Sequence, residues 1–103
     1  MVENWILKGE IMEKLELLPQ APHITSVDTV FNADGASFSY QIVATQTPTA
    51  FYVDWLPYGL VINTSTGVIS GTTHHNSKGV YNLAIHAVNE GGVGSLLLRV
   101  NVQ

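Results

Sequence analysis

The chain has 103 residues, of which 46% are hydrophobic and only 12% charged. That length buries one core, and the hydrophobic share excludes intrinsic disorder. With a net charge of -4 and four lysines and arginines in total, there is no clustered positive patch to neutralise phosphates, which sets nucleic acid aside. No apolar run approaches the roughly 20 residues of a membrane span. The lack of any cysteine excludes disulfides, thiolate metal sites and a cysteine nucleophile.

The charged fraction is about half the ordinary share. Part of the surface is therefore expected to be covered, by copies of the chain or by a larger assembly. Half of the charge lies in the first sixteen residues, as Glu3, Lys8, Glu10, Glu13, Lys14 and Glu16. Pro19 and Pro22 mark a boundary, because proline ends regular structure and biases its predecessor to extended geometry. Residues 1–22 read as an arm and residues 23–103 as a globular domain. On the reading that Met1 is the natural start, Glu3 and the short apolar stretch Trp5-Ile6-Leu7 do not make a secretory signal.

Within the arm, Ile11, Leu15 and Leu18 recur at helical spacing, with Glu10, Glu13 and Lys14 opposite, which predicts a short amphipathic helix. Leu15-Glu16-Leu17 also fits a strand. The arm carries Trp5, Ile6, Leu7, Ile11, Leu15 and Leu18, more apolar surface than water tolerates at about 1.5–3 kcal/mol per large side chain. It is expected to cover its own domain or to dock on a neighbouring subunit.

Beyond the arm the period becomes two. Phe38, Tyr40 and Ile42 alternate with polar residues, as do Tyr81, Leu83, Ile85 and Ala87, and then Leu96, Leu98, Val100 and Val102. Each series predicts a strand with one buried face. Shorter candidates are Ile24–Val27, Ala50–Val53, Leu60–Asn63 and Val68–Ser70. Turn-forming runs separate them, among them Asp34-Gly35, Pro57-Tyr58-Gly59, Ser65-Thr66-Gly67 and Glu90-Gly91-Gly92. Seven short strands at this spacing predict an all-β sandwich of two sheets.

Little in the sequence promises catalysis. His74-His75 stand in a turn-rich stretch, where adjacent side chains point apart and cannot readily chelate one ion, and no carboxylate is near in sequence. His86 alternates outward on its strand, and His23 lies at the domain edge without a visible partner. Asp28, Asn32 and Asp34 lack the spacing of a calcium loop and read as a turn. Asn63-Thr64-Ser65 has the form of a glycosylation acceptor but belongs more simply to a hairpin. No serine sits in a nucleophile elbow, and there is no phosphate loop or close carboxylate pair. No enzyme activity, metal or cofactor is expected.

The order of motifs is more specific. Tyr40-Gln41-Ile42-Val43-Ala44-Thr45 is followed by Pro48-Thr49 and Phe51, then Leu56-Pro57-Tyr58-Gly59-Leu60. Thr64-Ser65-Thr66-Gly67-Val68-Ile69-Ser70-Gly71-Thr72, Gly79-Val80-Tyr81 and Ala87-Val88-Asn89-Glu90-Gly91-Gly92 complete the series. Over about sixty residues the chain resembles the immunoglobulin-like (cadherin-like) domain family of bacterial and viral surface proteins. In this pattern Leu56 and Leu60 are apolar plugs around a Pro–Gly turn, and Ala87 faces a crowded core. Gly67 permits a hairpin, and Gly71 lets its strand leave the sheet. The chain departs from the family at Trp55 and Tyr58, which with Tyr52 place three aromatics around one turn. A tryptophan buried beneath the turn is the plainer reading; an exposed cluster would be a binding surface.

The resemblance implies a structural or interaction protein. The first expectation is an accessory component of a phage or virus particle, a decoration or fibre protein made in the host cytoplasm. Its arm would dock on a capsid, tail or homo-oligomeric partner, and the sandwich would project. The alternative is an extracellular cell-surface adhesion or carbohydrate-binding module, with Tyr52, Trp55 and Tyr58 as a stacking platform for sugars.

Overall fold

A computed structural model describes the backbone of residues 4–8 and 11–15 and the whole of residues 19–103. In the arm, β1 (Asn4–Lys8) and β2 (Ile11–Leu15) pair antiparallel, with Trp5 opposite Lys14 and Leu7 opposite Met12. They form a two-stranded sheet of their own. This corrects the helical expectation. A helix shorter than about 12–15 residues is marginal in water, and three apolar residues at helical spacing do not outweigh a ladder with the β-prone run Trp5-Ile6-Leu7. Trp5, Ile6 and Leu7 thus lie on β1 and Ile11 and Leu15 on β2, their side chains being outside the described residues, as is Leu18 altogether.

Seven further strands build a sandwich: β3 (Thr29–Asn32), β4 (Ser37–Gln41), β5 (Ala50–Val53), β6 (Leu60–Ile62), β7 (Val68–Thr72), β8 (Gly79–Asn89) and β9 (Gly92–Val102). One sheet has the order β3-β9-β8-β5 and the other β4-β7-β6. All neighbours run antiparallel except β3, which lies parallel to β9 along its outer edge. The described residues contain no helix.

The period of two explains the core. Leu83, Ile85 and Ala87 of β8 and Leu98, Val100 and Val102 of β9 point inward and are almost wholly buried. They meet Phe38 and Tyr40 of β4, Leu60 of β6 and Ile69 of β7, with Ile42 and Phe51 completing the cluster. The intervening residues face water, as strand geometry requires. The Tyr40 hydroxyl, at the core's edge, is 2.6 Å from the Val27 carbonyl and 2.8 Å from Ser26 Oγ. Burial pushes this phenol above its ordinary pKa.

Two strand expectations change. Ile24 makes a single bridge to Ala44 in place of a strand over Ile24–Val27. The seventh strand is instead β3, in the stretch read as a turn. Its burial alternates only weakly, with Val30 half-buried and Phe31 65% exposed, because it is an edge strand.

Gly67 adopts φ 79° beneath the Phe51 ring, as a hairpin requires. Gly71 does not release its strand. It stays in the ladder between Phe38 of β4 and Leu60 of β6, at φ 139°, and a Cβ there would lie 2.0 Å from the Gly59 carbonyl oxygen. The missing side chain is what lets the Pro57–Gly59 turn close onto β7. Gly71→Ala should therefore lower stability by at least about 1 kcal/mol, read as a lower midpoint of urea unfolding at unchanged slope.

Candidate functional site

The segment from Asp54 to Gly59 links β5 to β6 and crosses from one sheet to the other. Its apolar anchors are Leu56, half-buried against the core, and Leu60, buried. The turn closes through the Leu60 N–H, which donates to the Pro57 carbonyl at 3.2 Å. With both leucines turned inward, Trp55 and Tyr58 are left outside, 57% and 81% exposed. The plainer reading of Trp55 as a core residue is thereby overturned. Leu56 and Leu60 take the inward positions of the turn, and the indole lies outside beside the Tyr81 ring.

The facing wall is the segment from Thr73 to Ser77, between β7 and β8. The buried Thr73 hydroxyl donates towards the Ala33 carbonyl at 3.0 Å and accepts from Asn32 Nδ2 at 3.1 Å. Asp34 pins the other half, its carboxylate accepting the Asn76 N–H at 3.0 Å and the Ser77 N–H at 3.1 Å. The Ser77 N–H is the chief reason this carboxyl sits below its ordinary pKa of 3.8. Partial burial opposes it, while the Asn76 N–H, His75 and Lys78 reinforce it.

Between these walls lies an open groove of about 410 Å³, floored by Tyr81, Val100 and Val102. Its volume falls within the range of small-molecule sites. The Trp55 and Tyr81 rings are 6.3 Å apart at 32°, and Tyr58 meets His74 edge-on at 5.2 Å. Thr73, Asn76 and Ser77 add neutral polar edges, and the lining includes no aspartate, glutamate, lysine or arginine. The arrangement presents flat apolar rings beside hydroxyl and amide groups and offers little to an ion.

The structure divides the aromatic trio. Trp55 and Tyr58 line the groove, whereas Tyr52, half exposed, stands on the outer sheet face opposite His86. His74 and Tyr81 join the site from strands and loops remote in sequence, where no local motif could announce them.

His86 has more partners than its outward alternation implied. Its Nε2 lies 2.7 Å from Asp54 Oδ1 and its Nδ1 2.6 Å from Ser95 Oγ. With Asp54 ionised, Nε2–H donates to the carboxylate and Nδ1 accepts the serine hydroxyl. This reverses the ring of a hydrolytic triad, in which Nε2 serves the serine and Nδ1–H the carboxylate. Asp54, 69% exposed at its side chain, lies on the open sheet face. The network ties the residue before Trp55 to β8 and β9.

The other polar candidates are engaged locally. Asp34 lies 3.9 Å from His75 Nδ1, a carboxylate neighbour that sequence distance concealed. Asn32 turns its amide nitrogen to Ala33, Ala36 and Thr73, and Asp28 accepts from Thr29. Asn63 caps its hairpin through the N–H groups of Ser65 and Thr66. The His23 backbone pairs with Thr45.

The family model described as "Putative Ig domain" matches residues 21–103. Among solved structures, a putative alpha-galactosidase/melibiase from Bacteroides fragilis superposes with a TM-score of 0.75 at 27% identity. The match covers 82% of this chain and 18% of that one. A second putative alpha-galactosidase from Bacteroides fragilis gives a TM-score of 0.74 at 29% identity, covering 86% of this chain and 19% of that one. The chain thus spans less than a fifth of these proteins. No curated protein matches it.

Because folding lowers the Asp34 pKa, the stability it contributes is present above its unfolded value of 3.8. That contribution is lost as pH falls through the lower folded value. Asp34→Asn should reproduce the acid state at neutral pH. Amide exchange at Asn76 and Ser77 should quicken in this variant while exchange at Leu83 and Leu98 is unchanged.

Proposed function

The chain belongs to the "Putative Ig domain" family, and from that premise we propose that it is a non-catalytic accessory module that engages a neutral carbohydrate through the Trp55–Tyr58 groove. The observation that carries this reading is the groove's chemistry. Two exposed rings offer flat apolar faces to the C–H side of a pyranose, and Thr73, Asn76 and Ser77 offer hydrogen bonds to its hydroxyls. A lining free of carboxylates, lysine and arginine suits an uncharged polyhydroxylated ligand, which brings no charge to neutralise. The similar structures support the same class, since both are putative alpha-galactosidases. The match covers under a fifth of their length, so the module's likeness is to one part of such proteins.

The expectation of a particle-decorating role rested on the family resemblance, the low charge and the apolar arm. The groove and the structural relatives weigh instead towards the carbohydrate alternative.

The reading is tested by titrating the full chain with an α-linked galactose disaccharide and following amide and indole signals by NMR. Saturable shifts are expected at Trp55, Asn76, Ser77 and Tyr81. Trp55→Ala should weaken binding at least about tenfold, or about 1.4 kcal/mol. As Trp55 is more than half exposed, its removal should cost about 1 kcal/mol of stability or less. If these residues do not shift with galactosides or with a panel of other neutral disaccharides, the proposal fails.

A further inference from the structure

We propose that the turn between β8 and β9 is a seat for the chain's own connecting segment, Pro19–His23, so that the domain is a rigid spacer with fixed entry direction. Three independent features build the seat. The first is steric: a Cβ at Gly91 would lie 2.3 Å from the Pro19 carbonyl oxygen, and one at Gly94 would lie 1.9 Å from that of Pro22. Bare backbone at both positions is what allows the segment to lie directly on the hairpin, and Pro22 is buried there.

The second feature is Asn89. Its Nδ2 donates to the Gln20 carbonyl at 2.6 Å and to the Gln46 carbonyl at 2.8 Å, while its Oδ1 accepts the Gly91 N–H at 2.7 Å. One side chain thus joins the segment, the loop before β5 and the turn. That loop holds Gln46 at φ 63° and Thr47 at φ 50°, a region that non-glycine residues seldom adopt, and its Gln46 carbonyl is thereby turned to Asn89. The third feature is the bonding that follows. His23 N–H donates to Thr45 Oγ1 at 3.0 Å, Thr45 N–H donates to the His23 carbonyl at 2.9 Å, and Ile24 bridges to Ala44. Between Gln20 and Ile24 the chain is held at Gln20, Pro22, His23 and Ile24.

The consequence is directional. Asn89 ends β8 while Tyr81, in the groove, lies near its start. Eight residue steps at about 3.3 Å separate them by roughly 26 Å. Whatever precedes Pro19 joins one end of the sandwich, and the groove opens at the other. This arrangement stands whether or not the groove takes a sugar.

The test is the heteronuclear NOE of backbone amides in the full chain. In the native protein Gln20, Ala21 and His23 should match Leu83 and Leu98 within error. Asn89→Asp keeps the shape but removes both donors, and should lower the values at Gln20 and Ala21 with Leu83 and Leu98 unchanged. Gly94→Ala should do the same by displacing Pro22; if that variant does not fold, Asn89→Asp decides alone. Low values at Gln20 and Ala21 in the native chain would overturn the proposal. So would unchanged values in the folded variants.

Discussion

The whole sandwich depends on one pairing, the eleven-residue antiparallel ladder between β8 and β9. Because side chains alternate along a strand, this ladder delivers Leu83, Ile85, Ala87, Leu98 and Val100 to one face, each almost fully shielded from water. The other strands are placed by reference to it. β5 joins along β8, β3 joins along β9, and the β4-β7-β6 sheet lies across the inward face with Phe38, Tyr40 and Ile69. A one-residue slip of either strand would turn that strand's core residues outward. The register is therefore specified by burial along its length and by the Glu90–Gly91 turn at its end.

Both ends of this ladder are used, by different physical means. At the turn the glycines remove side chains, so that backbone can rest on backbone and Asn89 can bridge three segments. At the opposite end the strands diverge into loops whose side chains are large: Trp55 and Tyr58 on one side, His74 and Asn76 on the other. The loops keep their shape through polar anchors beneath them, Asp34 under Asn76 and Ser77 and Thr73 under Ala33. The aromatic rings need not support the fold, and they stay exposed because Leu56 and Leu60 take the inward positions. The groove is thus assembled on a scaffold that does not require it.

Much of the scaffold was legible in sequence, and the reason is periodicity. The alternations through Phe38–Ile42, Tyr81–Ala87 and Leu96–Val102 report directly which face each residue takes, and the glycine-bearing turns bound them. The family motifs add order over the same span. β3 escaped because an edge strand with one half-buried valine leaves almost no alternation to read. The arm misled because Ile11, Leu15 and Leu18 satisfy a helical spacing that its pairing partner, Asn4–Lys8, overrides. Gly71 was recognised as special, but its reason lies in the approach of the Gly59 carbonyl, a contact between strands.

The candidate site was legible only in part, and the limit is one of distance along the chain. Trp55 and Tyr58 stood out as departures from the family's turn. Their exposure could not be read locally, since it follows from the packing of Leu56 and Leu60 against a core built elsewhere. Tyr52 belonged to the same short stretch yet faces away, because one residue along a strand changes the face. His74, Asn76 and Tyr81 reach the groove only through the crossing of β7 and β8. The same holds for Asp34, which reads as half of an Asp–Gly turn and in the fold accepts the N–H groups of Asn76 and Ser77. A sequence read for local pattern reports the strands, whereas the groove is made where strands end, by residues that share no pattern. Changing Trp55 or Tyr58 therefore alters the rings that line the groove, and none of the buried side chains of β8 and β9 has to move.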